Sequence, residues 1–447
     1  MPKHRFLSVA SLLVTGTVSA QQVPVRLTLA EAIAIARERN PQYRQALNSR
    51  NAAGVEARAG WSGFLPRITA GMSTGGSSSR VVTGEDDFGE PVALPVAREF
   101  QGSSSSQSLG ASLTLFDGLG NVQRIKAARA GADMAQAEAQ LALRTLEAET
   151  ARRFYRALVA DRSVALEERL LQVARDQLAN TEQRFALAAA NQEDVLGARV
   201  DVANREVDLA RARGEAQKAY FALREYLGVA EDVMFEPAGE MPEAFDPTTL
   251  EASQLVATAL ARHPRIVQLE ASARAAEAQA GVAGARRWPG VSANVGLGRS
   301  MSLSSYDALF EPNPRNRSFS FGLSVSLPLF TGFETSAQIA RADAQARNAD
   351  EALRAGRLAV EREVRSGLID LQNAHRALEV ARQAADLSGQ RLELARQRYQ
   401  VGQLDFALLQ QIMSLAAQSE RQVVEAEVNL AVAVVSLQEA VGTEVRP

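Results

Sequence analysis

The 447-residue chain carries 49 Lys and Arg against 52 Asp and Glu, contains no cysteine, and has histidine only at positions 4, 263 and 375. Without cysteine there is no disulfide scaffold, zinc ribbon, thiol nucleophile or lipid-bearing N-terminal Cys, and three scattered histidines leave little for a His-based metal site or triad. The near balance of charge offers no basic face to displace counterions from nucleic acid, and nothing in the composition asks for a cofactor.

Residues 1–20 read as a secretory leader. Lys3 and Arg5 make its positive start, Phe6 to Val14 a short apolar stretch, and Val18-Ser19-Ala20 the small residues of a cleavage site. No later run of about 18 residues is continuously apolar, so any membrane span must be built from strands.

The mature chain opens with a capping box, Thr28 and Glu31, and Asn40-Pro41 starts a helix over 41–63. Two stretches of strict alternation follow. Ile68, Ala70 and Met72 alternate with Arg67, Thr69, Gly71 and Ser73; Leu109, Ala111, Leu113 and Leu115 alternate with Ser108, Gly110, Ser112 and Thr114. The polar residues 75–105 between them read as an outward loop. After Leu115-Phe116-Asp117-Gly118 comes a long helical stretch whose seam, Leu146, Ala157, Ala160, Val164, Leu171, Ala174, Leu178 and Phe185, is interrupted by Thr150, Arg153, Glu167 and Thr181. A shorter helix covers 194–227. Residues 229–250, acidic and broken by Pro237, Pro242 and Pro247, read as a solvated linker.

A second series then begins. Thr248 and Glu251 form another potential capping box, and His263-Pro264 starts a helix over 264–287, with His263 as a cap or turn residue rather than a ligand. Val291, Ala293, Val295 and Leu297 alternate with Ser292, Asn294, Gly296 and Gly298. Phe319, Phe321, Leu323, Val325, Leu327 and Leu329 alternate with Ser318, Ser320, Gly322, Ser324 and Ser326, until Pro328 ends the strand. Residues 300–317 read as a second outward loop. From Gly332 to Tyr399 there is no proline, and Val360, Val364, Gly367, Leu371, Ala374, Leu378, Ala381, Ala385, Ser388, Leu392, Ala395 and Tyr399 make a heptad seam. A helix of 65–70 residues is about 100 Å long. His375 sits on its surface or seam, and a last helix covers 408–441.

The two series match at a constant offset of 214: Leu115-Phe116-Asp117-Gly118 with Leu329-Phe330-Thr331-Gly332, Arg184-Phe185 with Arg398-Tyr399, Leu227-Gly228 with Val441-Gly442. Such an offset points to an internal duplication, with a first repeat at 21–228 and a second at 251–447. Each repeat carries two strands. Their alternation puts one face in an apolar medium and one in a polar medium. A soluble sandwich and a membrane β-barrel both satisfy this. The strand lengths suit a tilted span of a bilayer. Trp61, Phe64, Phe116, Trp288 and Phe330 fall where strands meet helices, as an interfacial aromatic girdle does. Four strands cannot close a barrel, so the membrane reading requires several chains.

With Leu27-Thr28-Leu29-Ala30-Glu31-Ala32, Asn40-Pro41, the two Leu-Phe-(Asp/Thr)-Gly turns, Arg184-Phe185, Arg398-Tyr399-Gln400-Val401-Gly402, Asp194-Val195-Leu196-x-Ala198 and the closing Leu227-Gly228 and Val441-Gly442, the mature chain resembles the TolC-like outer-membrane efflux proteins. The resemblance implies a mixed α and β membrane protein: a homotrimer whose twelve strands, four from each chain, form one barrel in outer-membrane lipid, continued by a helical coiled-coil barrel through the periplasm of a Gram-negative bacterium. It implies no enzyme but a passive exit duct for drugs or other small molecules, docked to a periplasmic adaptor (membrane fusion) protein and an inner-membrane pump or ABC transporter. The exit duct of a type I protein secretion system is the alternative, and a non-transporting periplasmic coiled-coil protein the alternative of another class. On this resemblance Phe319, Phe321, Leu323, Val325, Leu109 and Leu113 face lipid. Asp194 and Tyr399 hold a periplasmic gate closed, whose aperture positions are Leu408 and Gln411, with Asp405 one turn away; the Arg of the family's latch falls on Leu404. Arg398, Val401 and Gly402 form the adaptor-docking tip, whose glycine is replaced by Ala188 in the first repeat.

Overall fold

The computed structural model describes residues 25–85, 91–229, 235–242, 246–310 and 313–443. The leader assigned to residues 1–20 lies outside them, as do Glu231, Asp232 and Glu243 of the linker. In chain order the elements are β1 (Val25–Leu27), α1 (Leu29–Arg39), α2 (Pro41–Ala59), β2 (Arg67–Glu85), β3 (Pro91–Asp117), α3 (Gly120–Ala186), α4 (Gln192–Leu227), β4 (Phe235–Pro237), α5 (Ala252–Arg262), α6 (Pro264–Ala285), β5 (Gly290–Leu303), β6 (Asn316–Ser326), α7 (Glu334–Gln400) and α8 (Phe406–Val441). The chain forms two compact units. A helical unit holds residues up to Pro41, Leu146–Phe245 and Asn373–Val435; a strand-bearing unit holds Gln42–Thr145, Asp246–Gln372 and Ser436 onward. Among the described residues no helix is long and apolar enough to cross a membrane.

In the helical unit, α1 starts at the expected capping box: Glu31 accepts from the Thr28 N–H at 2.9 Å while Thr28 Oγ1 accepts from the Glu31 N–H. Asn40 donates to the Tyr226 carbonyl at 2.7 Å. Gly228 caps α4 in the left-handed region at φ 70°, so close to Arg39 that an added Cβ would lie 2.6 Å from its carbonyl oxygen; only glycine fits both demands. Part of the expected linker is ordered, because β4 pairs in parallel with β1, from Val25↔Phe235 to Leu27↔Pro237.

The seam read on α7 is buried or half-buried at every position, Leu378, Ala395 and Tyr399 fully so within this unit. The interruptions of the α3 seam are also turned inward: Thr150, Glu167 and Thr181 are buried. Thr181 donates back to the Gln177 carbonyl, and Arg153 donates to the Ala222 carbonyl. Arg421 on α8 makes a bidentate pair with Glu167 at 2.6 and 2.8 Å and bonds Asp208 on α4 at 2.7 Å, so one guanidinium ties three helices.

In the strand-bearing unit the four long strands form one antiparallel sheet in the order β2-β3-β5-β6. Its register aligns the apolar series in rows: Ala70, Leu109, Leu297 and Phe319; then Ile68, Ala111, Val295 and Phe321; then Leu113, Ala293 and Leu323; then Val291 and Val325. Because facing partners share a side of the sheet, these residues occupy one face. The other face carries Thr69, Gly71, Ser108, Gly110, Ser112, Asn294, Gly296, Ser320, Gly322 and Ser324. β6 ends at Ser326, two residues before Pro328.

The segment 75–105 is not the loop expected from its composition. β2 and β3 stay paired from Arg67↔Ser112 to Glu85↔Pro91, with one irregularity at Val81/Thr83. Serine and glycine carry no alternation, yet their backbone groups pair as any others do. Likewise β5 runs on to Leu303, leaving a shorter connection with a 3₁₀ turn at Tyr306–Phe310.

In the same unit Val360, Val364, Leu368 and Leu371 of α7 are buried, as are Leu437 and Val441 of α8, and a Cβ added at Gly367 would lie 3.5 Å from Leu437. The second expected capping box does not form: Asp246 takes the Thr248 N–H at 2.9 Å and its hydroxyl at 2.7 Å, and α5 starts at Glu251 without a side-chain cap. The shorter Asp side chain, followed by Pro247, wins the turn. His263 is the cap expected: its Nδ1 accepts from the Arg265 N–H at 3.2 Å, starting α6. Burial pushes its pKa below the usual 6.5. The native state thus holds fewer protons on this ring than the unfolded chain does, and the stability from His263, present above about pH 6.5, is lost as pH falls toward the lowered native value. His263→Asn, which caps without titrating, is expected to flatten part of the fall in melting temperature between pH 7.5 and 5; an unchanged slope would refute this assignment.

Candidate functional site at the helical tip

Two tight turns, α3–α4 and α7–α8, end the helical unit. Both close the preceding helix in the same way. Ala188 donates to the Phe185 carbonyl and Ala189 to that of Arg184; 214 residues later, Gly402 donates to Tyr399 and Gln403 to Arg398. This is the Schellman pattern, whose C′ residue is left-handed. Gly402 meets the requirement freely at φ 76°, whereas Ala188 holds φ 58° against its own Cβ. The offset recurs in the strand-to-helix turns: Gly118 and Leu119, and then Gly332 and Phe333, are all left-handed. Just before each tip an aliphatic side chain stands in solvent, Leu187 at 80% and Val401 at 69% exposure.

Under the turns lies an apolar cluster of Ala198, Ala395, Tyr399, Phe406, Leu409, Ile412 and Met413, with Leu404 packed against it. The Tyr399 and Phe406 rings sit 5.8 Å apart. Gln410 donates to the Gly197 carbonyl at 3.0 Å, joining α8 to α4. The dominant polar feature is Arg184. Its Nη1 donates to the carbonyls of Tyr399 and Gln400 at 3.0 and 3.1 Å, and its guanidinium lies 4.6 Å over the Tyr399 ring. A cation thus lies against the last carbonyls at the negative end of α7. Two neighbouring polar atoms, Arg184 Nε and the Tyr399 hydroxyl, are buried without a partner, and a cavity of about 420 Å³ opens beside them among Gln177, Asn180, Leu187 and Arg396.

The residues assigned to the gate lie around the two turns. The Asp194 carboxylate accepts from the Asn191 N–H at 3.1 Å while Asn191 Oδ1 accepts from the Asp194 N–H at 2.8 Å, a capping box at the start of α4. Within one chain it does not reach Tyr399. Asp405, Leu408 and Gln411 are exposed around the first turns of α8, and Arg398, Val401 and Gly402 are exposed at the α7 tip. The sequence marked Arg184 only as part of the repeated Arg184-Phe185 motif and gave it no role at the tip, although its place one turn from the end of a helix, in duplicate with Arg398, was a usable signal. The expected lipid-facing residues, Leu109, Leu113, Phe319, Phe321, Leu323 and Val325, all fall on the apolar face of the sheet. Among the described residues no group of His, Asp and Glu could hold a metal ion.

The fold is that of known channels. The chain is similar to VceC, an outer membrane protein from Vibrio cholerae, with 20% identity, a TM-score of 0.74, and 93% of this chain and 96% of that one covered. It is similar to the open state of the MtrE outer membrane channel from Neisseria gonorrhoeae, with 20% identity, a TM-score of 0.70, and 99% and 98% covered. In sequence it is 26% identical to protein CyaE from Bordetella pertussis over 357 residues, covering 79% of this chain and 71% of that protein. The model of the outer membrane efflux protein family matches residues 32–229 and 255–443, and the chain belongs to that family.

Proposed function

We propose that three copies of this chain close a twelve-stranded barrel in the outer membrane and form the exit duct of a tripartite efflux system, passing drugs or other small molecules outward without chemistry. The register of the sheet carries this reading. One face is apolar over four rows and the other is built of Ser, Gly, Thr and Asn, which suits lipid outside and water inside. The sheet is open at β2 and β6, and open edges do not lie in hydrocarbon, so further copies must complete it. The helical unit supports the same closure. Exposed Val200, Val207 and Phe221 on α4 and exposed Val380, Leu387 and Leu394 on α7 recur at multiples of seven, two different stripes suited to a heterologous contact that closes a ring. The repeated turns at an offset of 214 support an origin of residues 21–228 and 251–447 by duplication, with 229–250 as their junction. Arg398, Val401 and Gly402 are the docking tip for a periplasmic adaptor, which links the duct to an inner-membrane pump; Asp194, Tyr399, Asp405, Leu408 and Gln411 border the gate.

The test is single-channel conductance of the purified protein in a planar bilayer, with its mass. A trimer with discrete pores is expected; a monomer or a pore-free particle would overturn the reading in favour of a coiled-coil structural protein. In such a bilayer Arg184→Ala, which frees the end of α7, is expected to raise conductance at least twofold, whereas an unchanged trace would remove Arg184 from the gate.

A further inference from the structure

On the apolar face, the row beyond Ala70, Leu109, Leu297 and Phe319 is Met72, Gln107, Arg299 and Arg317. Arg299 and Arg317 are direct cross-strand partners. Like charges so placed repel. Among the described residues neither makes an ion pair, and the hydrogen bond from Arg299 Nη1 to Asn313 Oδ1 at 2.7 Å brings no negative charge. Both arginines are exposed and border a groove of about 620 Å³ whose apolar wall is Met72, Leu109 and Leu297. From Val325 to Arg317 the strand rises about 27 Å, or roughly 20 Å across a bilayer at the usual tilt. The pair therefore sits at the rim of the apolar band, at the end away from α7.

We propose that this groove binds a phosphate-bearing lipid of the outer leaflet, the phosphate held between Arg299 and Arg317 and an acyl chain along Met72, Leu109 and Leu297. Two guanidiniums present forked donors that match phosphate oxygens, and the anion removes the repulsion between them. The inference rests on the apolar face being the lipid face of the duct. It is tested by native mass spectrometry of the full protein in detergent, titrated with phosphatidic acid and with phosphatidylcholine of the same acyl chains, alongside bilayer conductance. Wild type is expected to bind phosphatidic acid about tenfold more tightly, a difference of about 1.4 kcal/mol. The R299Q/R317Q protein should lose that preference and R299K/R317K should keep part of it. No preference in wild type, or full preference in the double glutamine variant, overturns the site. Inorganic phosphate displacing the lipid at equal concentration would assign the arginines to a free anion and overturn the lipid. A protein that conducts without the preference loses this inference alone; one that shows the preference without conducting keeps the site and loses the duct.

Discussion

Arg421→Ala is expected to destabilise the helical unit by about 3–5 kcal/mol, the usual cost of removing one partner of a buried ion pair. The arginine itself is partly exposed, but the Glu167 side chain is only 7% exposed, and its carboxylate is matched on both oxygens by Arg421. Truncation leaves that charge in the interior with no second cation bonded to it among the described residues, and it also releases Asp208 on α4. Arg421→Lys keeps the charge but not the fork, so it should fall between the two. Replacing both partners, as Glu167→Leu with Arg421→Met, should recover most of the loss, because the cost lies in the orphaned charge rather than in the missing bond. Denaturant midpoints followed by helical circular dichroism report all three. A single-variant loss below about 1 kcal/mol would show that water reaches Glu167 and that the bridge is a surface pair.

Leu323→Arg and Ser324→Arg, adjacent residues with opposite expectations, test the faces of the sheet. Leu323 lies in the row of Leu113 and Ala293, between the rows that end the apolar band. An arginine at the middle of a lipid-facing strand costs about 2–4 kcal/mol. Ser324 points to the other side, where its hydroxyl meets that of Ser292 at 2.7 Å, and an arginine there meets water. The yield of folded protein in vesicles should drop sharply for Leu323→Arg and little for Ser324→Arg. Equal yields would contradict the assignment of lipid to the apolar face.

What the sequence made legible was contrast. The four strands stood out where apolar and hydroxyl-bearing residues alternate, and they were lost where the pattern dissolved into Ser73–Ser79 and Ser103–Ser106, although backbone pairing continues there unbroken. The α7 seam was legible because its inward residues are apolar or small. The α3 seam looked faulty because Thr181 and Glu167 are satisfied by Gln177 and by Arg421, the latter 254 residues away, and a distant partner leaves no local mark. Arg184 was legible as a repeated motif residue but its bonding was not, since its acceptors lie 215 and 216 residues on. Asp194 was read as a latch toward Tyr399; in the structure its carboxylate takes the N–H of Asn191, three residues before it. Gly118, Gly228, Gly332, Gly402 and Gly442 all take the left-handed backbone, a reason for their presence that lay behind a spacing read only as a mark of duplication.

The two unpaired margins of the sheet, β2 and β6, have a consequence for how such a chain must be handled. Each offers a row of vacant amide and carbonyl groups, so on the proposed closure by further copies a solitary chain has no closed ground state and its folding is governed by mass action. Apparent stability will climb with protein concentration, and dilution will populate a sticky species whose margins capture any other extended chain. Chaperone escort before insertion, and slow mixing at high dilution in refolding, follow from this arithmetic of encounter rather than from any weakness in the fold.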